Sequence, residues 1–383
     1  MDFSWTPEQT ALRGAVAEFA ATTLNEDLVE RDHRGGFDAR AWAACAEFGL
    51  LSMSVPAAYN SSGVDTDLVT AALVMEALGY GCRDNGLSLA VAAQMWTVQH
   101  PIAEFGTEEQ KQQYLPAMCA GELIGAHAVT EPNAGSDHLA METRAVPVDG
   151  GYVLTGTKRY ITLGPIADVA LVFATTDPEK GRWGLSTFLV DLSSPGCTRG
   201  AVRDKMGLRT VPMGDLEFAE CFVPESARLG SEGAGASISG TALGVERCFI
   251  LATQVGAMER QLEDAVEFAR TRHQFGRPIG KFQAVANRIA AMKLSLETGR
   301  LLLYKVAWML AAGESITLDA ALLKLHLSET FVTSSLDAIR TRGGAGYLTE
   351  HEVERDLRDA VGGLLYAGTN DIQQVVVARM LGL

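Results

Sequence analysis

Three apolar stripes in the C-terminal third set the strongest limit on what this chain can fold into. Leu251, Val255, Met258, Leu262, Ala265 and Ala269 recur at steps of three and four. Val285, Ile289, Met292 and Leu296 do the same and run on to Leu303, Val306 and Leu310. Leu318, Leu322, Leu325, Val332, Leu336 and Ile339 make a third stripe. Such spacing gives each of several long helices one apolar face, and those faces bury against one another. A four-helix bundle is expected over 237–383, its last helix following Tyr366.

The rest of the chain divides in two. Thr6-Pro7-Glu8-Gln9 carries a helix-start pattern: a hydroxyl cap, proline in the first turn and Gln three residues on. Helical spacing continues through 41–48, 67–78 and 86–105, with breaks at 56–63 and 79–85. A helical domain is therefore expected over 1–126. Near His127 the texture changes. Asp149-Gly150-Gly151 separates two short strand-like runs, a hairpin signal, and further runs follow at 169–174, 185–191 and 215–223. A β-domain is expected over 127–236, ending in a Gly/Ser/Ala stretch, 230–240, that reads as a loop feeding a helix. The fold class is mainly α with a β-rich middle.

Composition narrows the partners. The formal net charge is −15 with no long basic run, which disfavours nucleic acid and anionic membrane. An anionic ligand must then meet a local cationic pocket. The six cysteines form no CxxC pair and sit in apolar stretches, as buried free thiols in a reducing compartment do. The first residues begin with an acid, unlike a secretory signal, and no apolar run is long enough to span a bilayer. A cytoplasmic protein is expected. The seven histidines show no metal-ligand spacing, so no metal is expected.

The chemistry lies in five ordered motifs. They are Thr130-Glu-Pro-Asn-Ala-Gly-Ser-Asp137; Gly156-Thr-Lys-Arg-Tyr-Ile-Thr162; Arg272-His-Gln-Phe-Gly-Arg-Pro-Ile279 with Gln283; Gly343-Gly-Ala-Gly-Tyr347; and Arg358-Asp359 with Tyr366-Ala-Gly-Thr-Asn370. In this order they resemble the acyl-CoA dehydrogenases, with Tyr160 where that family usually has Trp. The resemblance spans nearly the whole chain. It implies the family fold, FAD as cofactor and α,β-dehydrogenation of an acyl thioester.

It also implies residue roles. Thr130 and Thr162 donate to the isoalloxazine, whose N1, O2 and N5 gain charge on reduction. Tyr160 packs against the ring system and Ser136 reaches the pyrophosphate. Arg272 and Gln274 hold phosphate oxygens, and Phe275 and Gln283 the adenine end, all on a neighbouring subunit's cofactor. Gly343 and Gly344 let backbone approach the cofactor, Arg340 stands where the family often has Gln, and Thr369 bonds near the phosphates. A homodimer or homotetramer follows, with an electron-transfer flavoprotein as acceptor.

Removing the α-proton of a thioester needs a carboxylate, and most of the family places Glu where this chain has Ala367. Ala367 keeps its backbone N–H for the substrate carbonyl. Isovaleryl-CoA dehydrogenases resemble this chain in having Ala-Gly-Thr there and Glu-Arg early in the first bundle helix, here Glu246-Arg247. Glu246 is then the base, its pKa raised toward neutrality by burial. Arg247 serves the phosphate or pantetheine end, and Gly244 and Gly368 also line the substrate. Many relatives have Asp where Gly244 stands, which leaves CoA and a carrier protein both open as carriers. The arrangement leans to a short or branched acyl group. The Met95-Trp96 pair reads as core or acyl-pocket wall. Loss of the common Glu also fits an oxidase, a monooxygenase or a non-catalytic flavin binder.

Overall fold

The computed structural model describes residues 4–60 and 62–383; the acidic start at residue 2 and part of the break at 56–63 lie outside them. The N-terminal helices are α1 Pro7–Thr23, α2 Leu28–Arg34, α3 Ala39–Glu47, α4 Leu68–Gly81, α5 Asn85–Ala93, α6 His100–Phe105 and α7 Glu108–Cys119. The capping box forms as expected: Thr6 Oγ1 accepts from the Gln9 N–H at 3.2 Å, and Gln9 Oε1 accepts from the Thr6 N–H at 3.1 Å. A π-helical segment, Gln94–Gln99, joins α5 to α6.

Gly79 was expected to break a helix, yet α4 runs through it. A Cβ at Gly79 would lie 1.8 Å from Thr253 O, and one at Gly256 would lie 1.9 Å from Glu76 O. The two glycines are where α4 and the bundle helix α9 (Ala252–Thr271) cross with backbones touching.

The strands are β1 Gly125–Ala128, β2 Arg144–Val148, β3 Gly151–Thr162, β4 Val169–Thr175, β5 Leu185–Asp191, β6 Cys197–Arg199, β7 Met213–Pro224 and β8 Arg228–Leu229. Among the described residues they form one sheet in the order β6-β7-β3-β2-β4-β5-β8, with β1 parallel to β4. The expected hairpin is β2–β3, turning at Gly150 with φ 77. Its inner face carries a core of its own, including Leu154, Phe188 and Phe218. Leu171, Phe173 and Leu189 pack instead with Val98, Ile102 and Leu115 of the N-terminal helices.

The C-terminal part holds α8 Gly235–Phe249, α9, the hairpin β9 His273–Gln274 and β10 Arg277–Pro278, α10 Gln283–Ala311, α11 Thr317–Arg342, α12 Val353–Gly363 and α13 Asn370–Met380. Six helices thus stand where four were expected. The glycine-rich stretch is helical from Gly235, because its small residues let α8 pass against β5; a Cβ at Gly235 would sit 2.8 Å from Leu185 C. One continuous core joins these helices to α1, α3, α4 and α5. No helix among the described residues is long and apolar enough to cross a membrane.

Candidate active site

Glu246 was expected early in a bundle helix and stands in the last turn of α8, because the helix starts before the glycines end. It is 8% exposed. Burial pushes its carboxyl up to about 7, against the pull of Arg247 and Lys324, and no hydrogen bond shares in the shift. A helix C-terminus also disfavours negative charge. One turn on, the Phe249 ring stacks on Trp96 of the π-segment, centroids 3.8 Å apart and planes within 10°. Both rings are fully buried.

The turn before α13 comes near enough to this carboxyl for its charge to add to burial in raising the Tyr366 phenol. Ala367 has φ 56 and Gly368 φ 82. Gln373 Nε2 donates to Ala367 O at 3.2 Å and to Gly368 O at 2.9 Å, which fixes both carbonyls. Among the described residues nothing accepts from the Ala367 N–H, which leaves it as a donor for an incoming group. Arg247 lies against the same turn: a Cβ on Gly368 would be 3.9 Å from its Nη2. Its Nε is buried without a partner, and burial holds the guanidinium below its usual range. Tyr366 Oη accepts from Gln254 Nε2 at 3.2 Å. Beneath the turn, Lys324 Nζ and Ser328 Oγ both donate to Asn370 Oδ1. Lys324 is fully buried, and burial first, then Arg247, lowers its ammonium to about 8.

The residues expected to donate to the flavin ring or pack against it sit on β3 and the segment before it. Lys158 is fully buried; its Nζ donates to Glu131 Oε1 at 2.6 Å and to Val129 O at 3.1 Å, gripping the chain on both sides of Thr130. Thr130 O accepts from the Arg159 N–H at 2.8 Å. The β3–β7 ladder slips between Lys158 and Ile161, and Tyr160 takes φ 60 in that bulge. Its ring is 53% exposed, with Arg159 and Arg203 guanidiniums against it. Thr162 is half-buried and in register with Met213. Leu163 N–H donates to Pro212 O, and Leu208 N–H to Asp359 Oδ1, so the 206–213 segment ties β3 to α12. Ser136 is exposed, and Gly244 lies beside Ile316 with room for a side chain.

The other cofactor residues are not brought to this place. Arg272, Gln274, Phe275 and Gln283 lie at the end of the bundle where α9 stops and α10 starts, as do Arg340, Gly343 and Gly344 at the end of α11. Asp337 links them, 3.6 Å from Arg288 and 3.3 Å from Arg340. Lys324, next to Glu246, is sixteen residues from Arg340 on α11, about 24 Å at 1.5 Å per residue. Phe275 is 91% exposed at φ 49 on the hairpin tip. No atom comes within 4 Å of a Cβ built on Gly343 or Gly344. Exposed Arg272, an exposed ring and open glycine backbone suit a phosphate and a base, so the residues fit the dinucleotide end of a flavin. Thr369 caps α13, accepting from the Ile372 N–H at 3.4 Å.

Three residues of the site were not singled out from the sequence: Lys324, Gln373 and Lys158. Lys158 and its partner Glu131 were inside motifs already quoted, and a lysine beside an apolar stripe was the available sign of Lys324.

A helical domain, a β-domain and a helical bundle around a thioester- and flavin-type site define a flavin-dependent acyl dehydrogenase. Profiles of the acyl-CoA dehydrogenase N-terminal, middle and C-terminal domains match residues 6–122, 126–221 and 233–382. The chain is 43% identical to the L-prolyl-[peptidyl-carrier protein] dehydrogenase of Pseudomonas fluorescens, over 100% of both chains. Among solved structures it resembles the prolyl acyl carrier protein oxidase AnaB, with TM-score 0.97, 44% identity, and 99% of this chain and 100% of that one covered. It resembles PigA with FAD and proline equally, with TM-score 0.97, 39% identity and 100% of both chains covered. The chain belongs to the acyl-CoA dehydrogenase family, FAD-dependent enzymes that dehydrogenate acyl thioesters.

Proposed function

We propose that this enzyme oxidises a prolyl group held as a thioester on a carrier protein, with Glu246 as the base that takes the α-proton. The observation that carries the reading is a buried carboxyl near neutrality beside a turn, where among the described residues neither that carboxyl nor the Ala367 N–H has a hydrogen-bond partner. The Ala367 N–H receives the thioester oxygen, where charge grows as the α-proton leaves. Glu246 takes that proton, and its position near pKa 7 lets it be ionised and still basic at neutral pH. FAD, when bound, would supply the acceptor for the hydride that leaves the β-carbon. Arg247 steadies the pantetheine end. The stacked Trp96 and Phe249 fill the core one turn beyond Glu246, and bulk there would suit a small ring better than a long chain.

Prolyl on a carrier is the substrate in the names of the relatives at 43% and 39% identity. The test is anaerobic flavin reduction by prolyl-carrier, prolyl-pantetheine, isovaleryl-CoA and butyryl-CoA. Prolyl thioesters should reduce the flavin fastest; faster reduction by the CoA esters would reverse the assignment.

An electron-transfer flavoprotein is the proposed acceptor. A second reading, direct reoxidation by oxygen, is favoured by the oxidase name of one relative. Hydrogen peroxide formed at the turnover rate without added acceptor would select it. Self-association is also proposed. Leu294, Leu301 and Trp308 stand exposed at seven-residue steps on α10, an apolar stripe that a second copy would cover.

A further inference from the structure

The relation between the β-domain and the start of α8 points outward to the carrier. The turn Pro178–Gly184 between β4 and β5 sits on the N-terminus of α8. Gly233 N–H donates to Ser186 Oγ at 3.0 Å, and a Cβ on Gly233 would lie 2.5 Å from Trp183 O. Trp183 is 60% exposed next to Gly184, where this turn closes back onto β5. The Arg182 guanidinium lies 4.9 Å from its ring centroid. Arg182 has no ion pair among the described residues, whereas Lys180 is held by Asp177 at 2.9 Å. The short helix His138–Ala140 touches the same turn and exposes Leu139. The Arg247 guanidinium is close enough to His138 to add to the effect of burial in holding its imidazole below the usual range. From Gly235 to Glu246 the helix rises about 16 Å at 1.5 Å per residue. That is the scale of an extended phosphopantetheine arm.

We propose that Trp183, Arg182 and Leu139 form the docking surface for the carrier protein, beside the serine that bears its arm. This rests on the carrier reading above. Exposed Trp and Arg together are the residue types that anchor protein interfaces, and Leu139 adds a second exposed apolar side chain beside them. A chain of net charge −15 repels acidic partners at large, so a carrier must be met by local cationic and apolar contacts. The partner surface is accordingly an apolar spot bordered by carboxylates. A nucleotide is the poorer occupant, because Arg182 already covers one face of the indole.

The test compares wild type with Trp183→Ala and Arg182→Glu, both surface changes, at equal FAD content. Each is assayed with prolyl-carrier, prolyl-pantetheine and prolyl-CoA. The KM for prolyl-carrier should rise about tenfold or more, with kcat unchanged, while prolyl-pantetheine is used as by wild type. An unchanged KM for the carrier overturns the docking surface alone. Equal losses with all three thioesters, or a loss with prolyl-CoA matching that with the carrier, overturn it in favour of a contact to the arm or the nucleotide. Wild type that accepts none of the three overturns the substrate reading and the docking surface with it.

Discussion

Lys324 Nζ donates to Asn370 Oδ1 at 2.8 Å, and this bond ties the bundle to the turn that presents Ala367. Asn370 Nδ2 in turn donates to Glu329 Oε1 at 2.8 Å. The charged and titratable groups around Glu246 are Arg247 on its own helix, Lys324 on α11 and Tyr366 in the turn; Glu329 acts on Lys324 behind them. Burial raises the Glu246 carboxyl, and the Lys324 ammonium is one of two charges that restrain the rise. Lys324→Met removes one restraint. The pH midpoint of flavin reduction should then move above that of wild type, read by stopped-flow across pH. A variant with a lower rate and an unmoved midpoint would mean that Lys324 only holds the turn.

Wild-type reduction should itself rise with pH through about 7, because a base at Glu246 would work only as the carboxylate, and burial leaves that carboxyl protonated below about 7. Glu246→Gln keeps size and burial and removes the base. Flavin reduction by substrate should fall roughly 10²–10⁴-fold with FAD retained. Ala367→Glu in the Glu246→Gln background should restore part of the rate, since most of the family works from that position. Ala367 already holds a Cβ at φ 56, so lengthening its side chain adds little backbone strain. Doing this with Glu246 present would crowd two buried carboxyls, each raising the other's pKa. Reduction of Glu246→Gln at the wild-type rate would remove Glu246 from the mechanism.

Assembly and cofactor should fail together. The hairpin residues and the Glu246 region lie at different levels of the bundle, about 24 Å apart along α11. In the proposed self-association, one copy would offer each half of the site to a different flavin. Leu301→Glu puts a charge in the middle of the exposed α10 stripe, and Arg272→Ala removes a phosphate donor. Leu301→Glu should yield smaller species that have lost FAD, while Arg272→Ala should lose FAD without dissociating. Sedimentation and the flavin-to-protein absorbance ratio separate the two. Smaller species with full FAD would mean that one copy binds the cofactor alone.

Much of this was legible in the sequence because motifs mark what a backbone must do. The Asp149-Gly150 turn, the Thr6 cap and the stripes of α9 and α10 follow from local physics, and the structure has them. The α11 stripe is offset: Leu318, Leu322, Leu325, Val332, Leu336 and Ile339 lie half-buried or exposed, and the helix buries Leu323, Leu327, Phe331 and Ala338 instead, with small and polar residues between them. The start of α8 was not legible, since the glycines and serines of 230–240 weaken a helix that its alanines favour, and contact with β5 decides the matter. The same holds for Gly79, where tertiary contact overrides the usual reading of glycine as a breaker. The burial of Glu246 depends on α11 and the Ala367 turn, both far away in sequence, so spacing within α8 could not reveal it. Lys324 was hidden for the same reason: its partner Asn370 is forty-six residues away.

The final prediction concerns acyl size. Trp96 stacks on Phe249 one turn beyond Glu246, and its Nε1 is buried without a hydrogen-bond partner. A fully buried indole with an unsatisfied N–H is costly, and it lies in a π-helical segment, a feature that occurs often at functional sites. Its burden is understandable if the ring shortens the acyl pocket. Trp96→Ala should leave a cavity and cost about 3–5 kcal/mol of stability, seen as a lower denaturation midpoint. The vacated volume should let longer straight-chain thioesters reduce the flavin, and it should weaken the preference for prolyl over butyryl. Trp96→Leu, which leaves a smaller void, should do the same to a lesser degree and with less loss of stability. If both variants fold, keep FAD and still discriminate by chain length as wild type does, Trp96 is core packing and the pocket is shortened elsewhere.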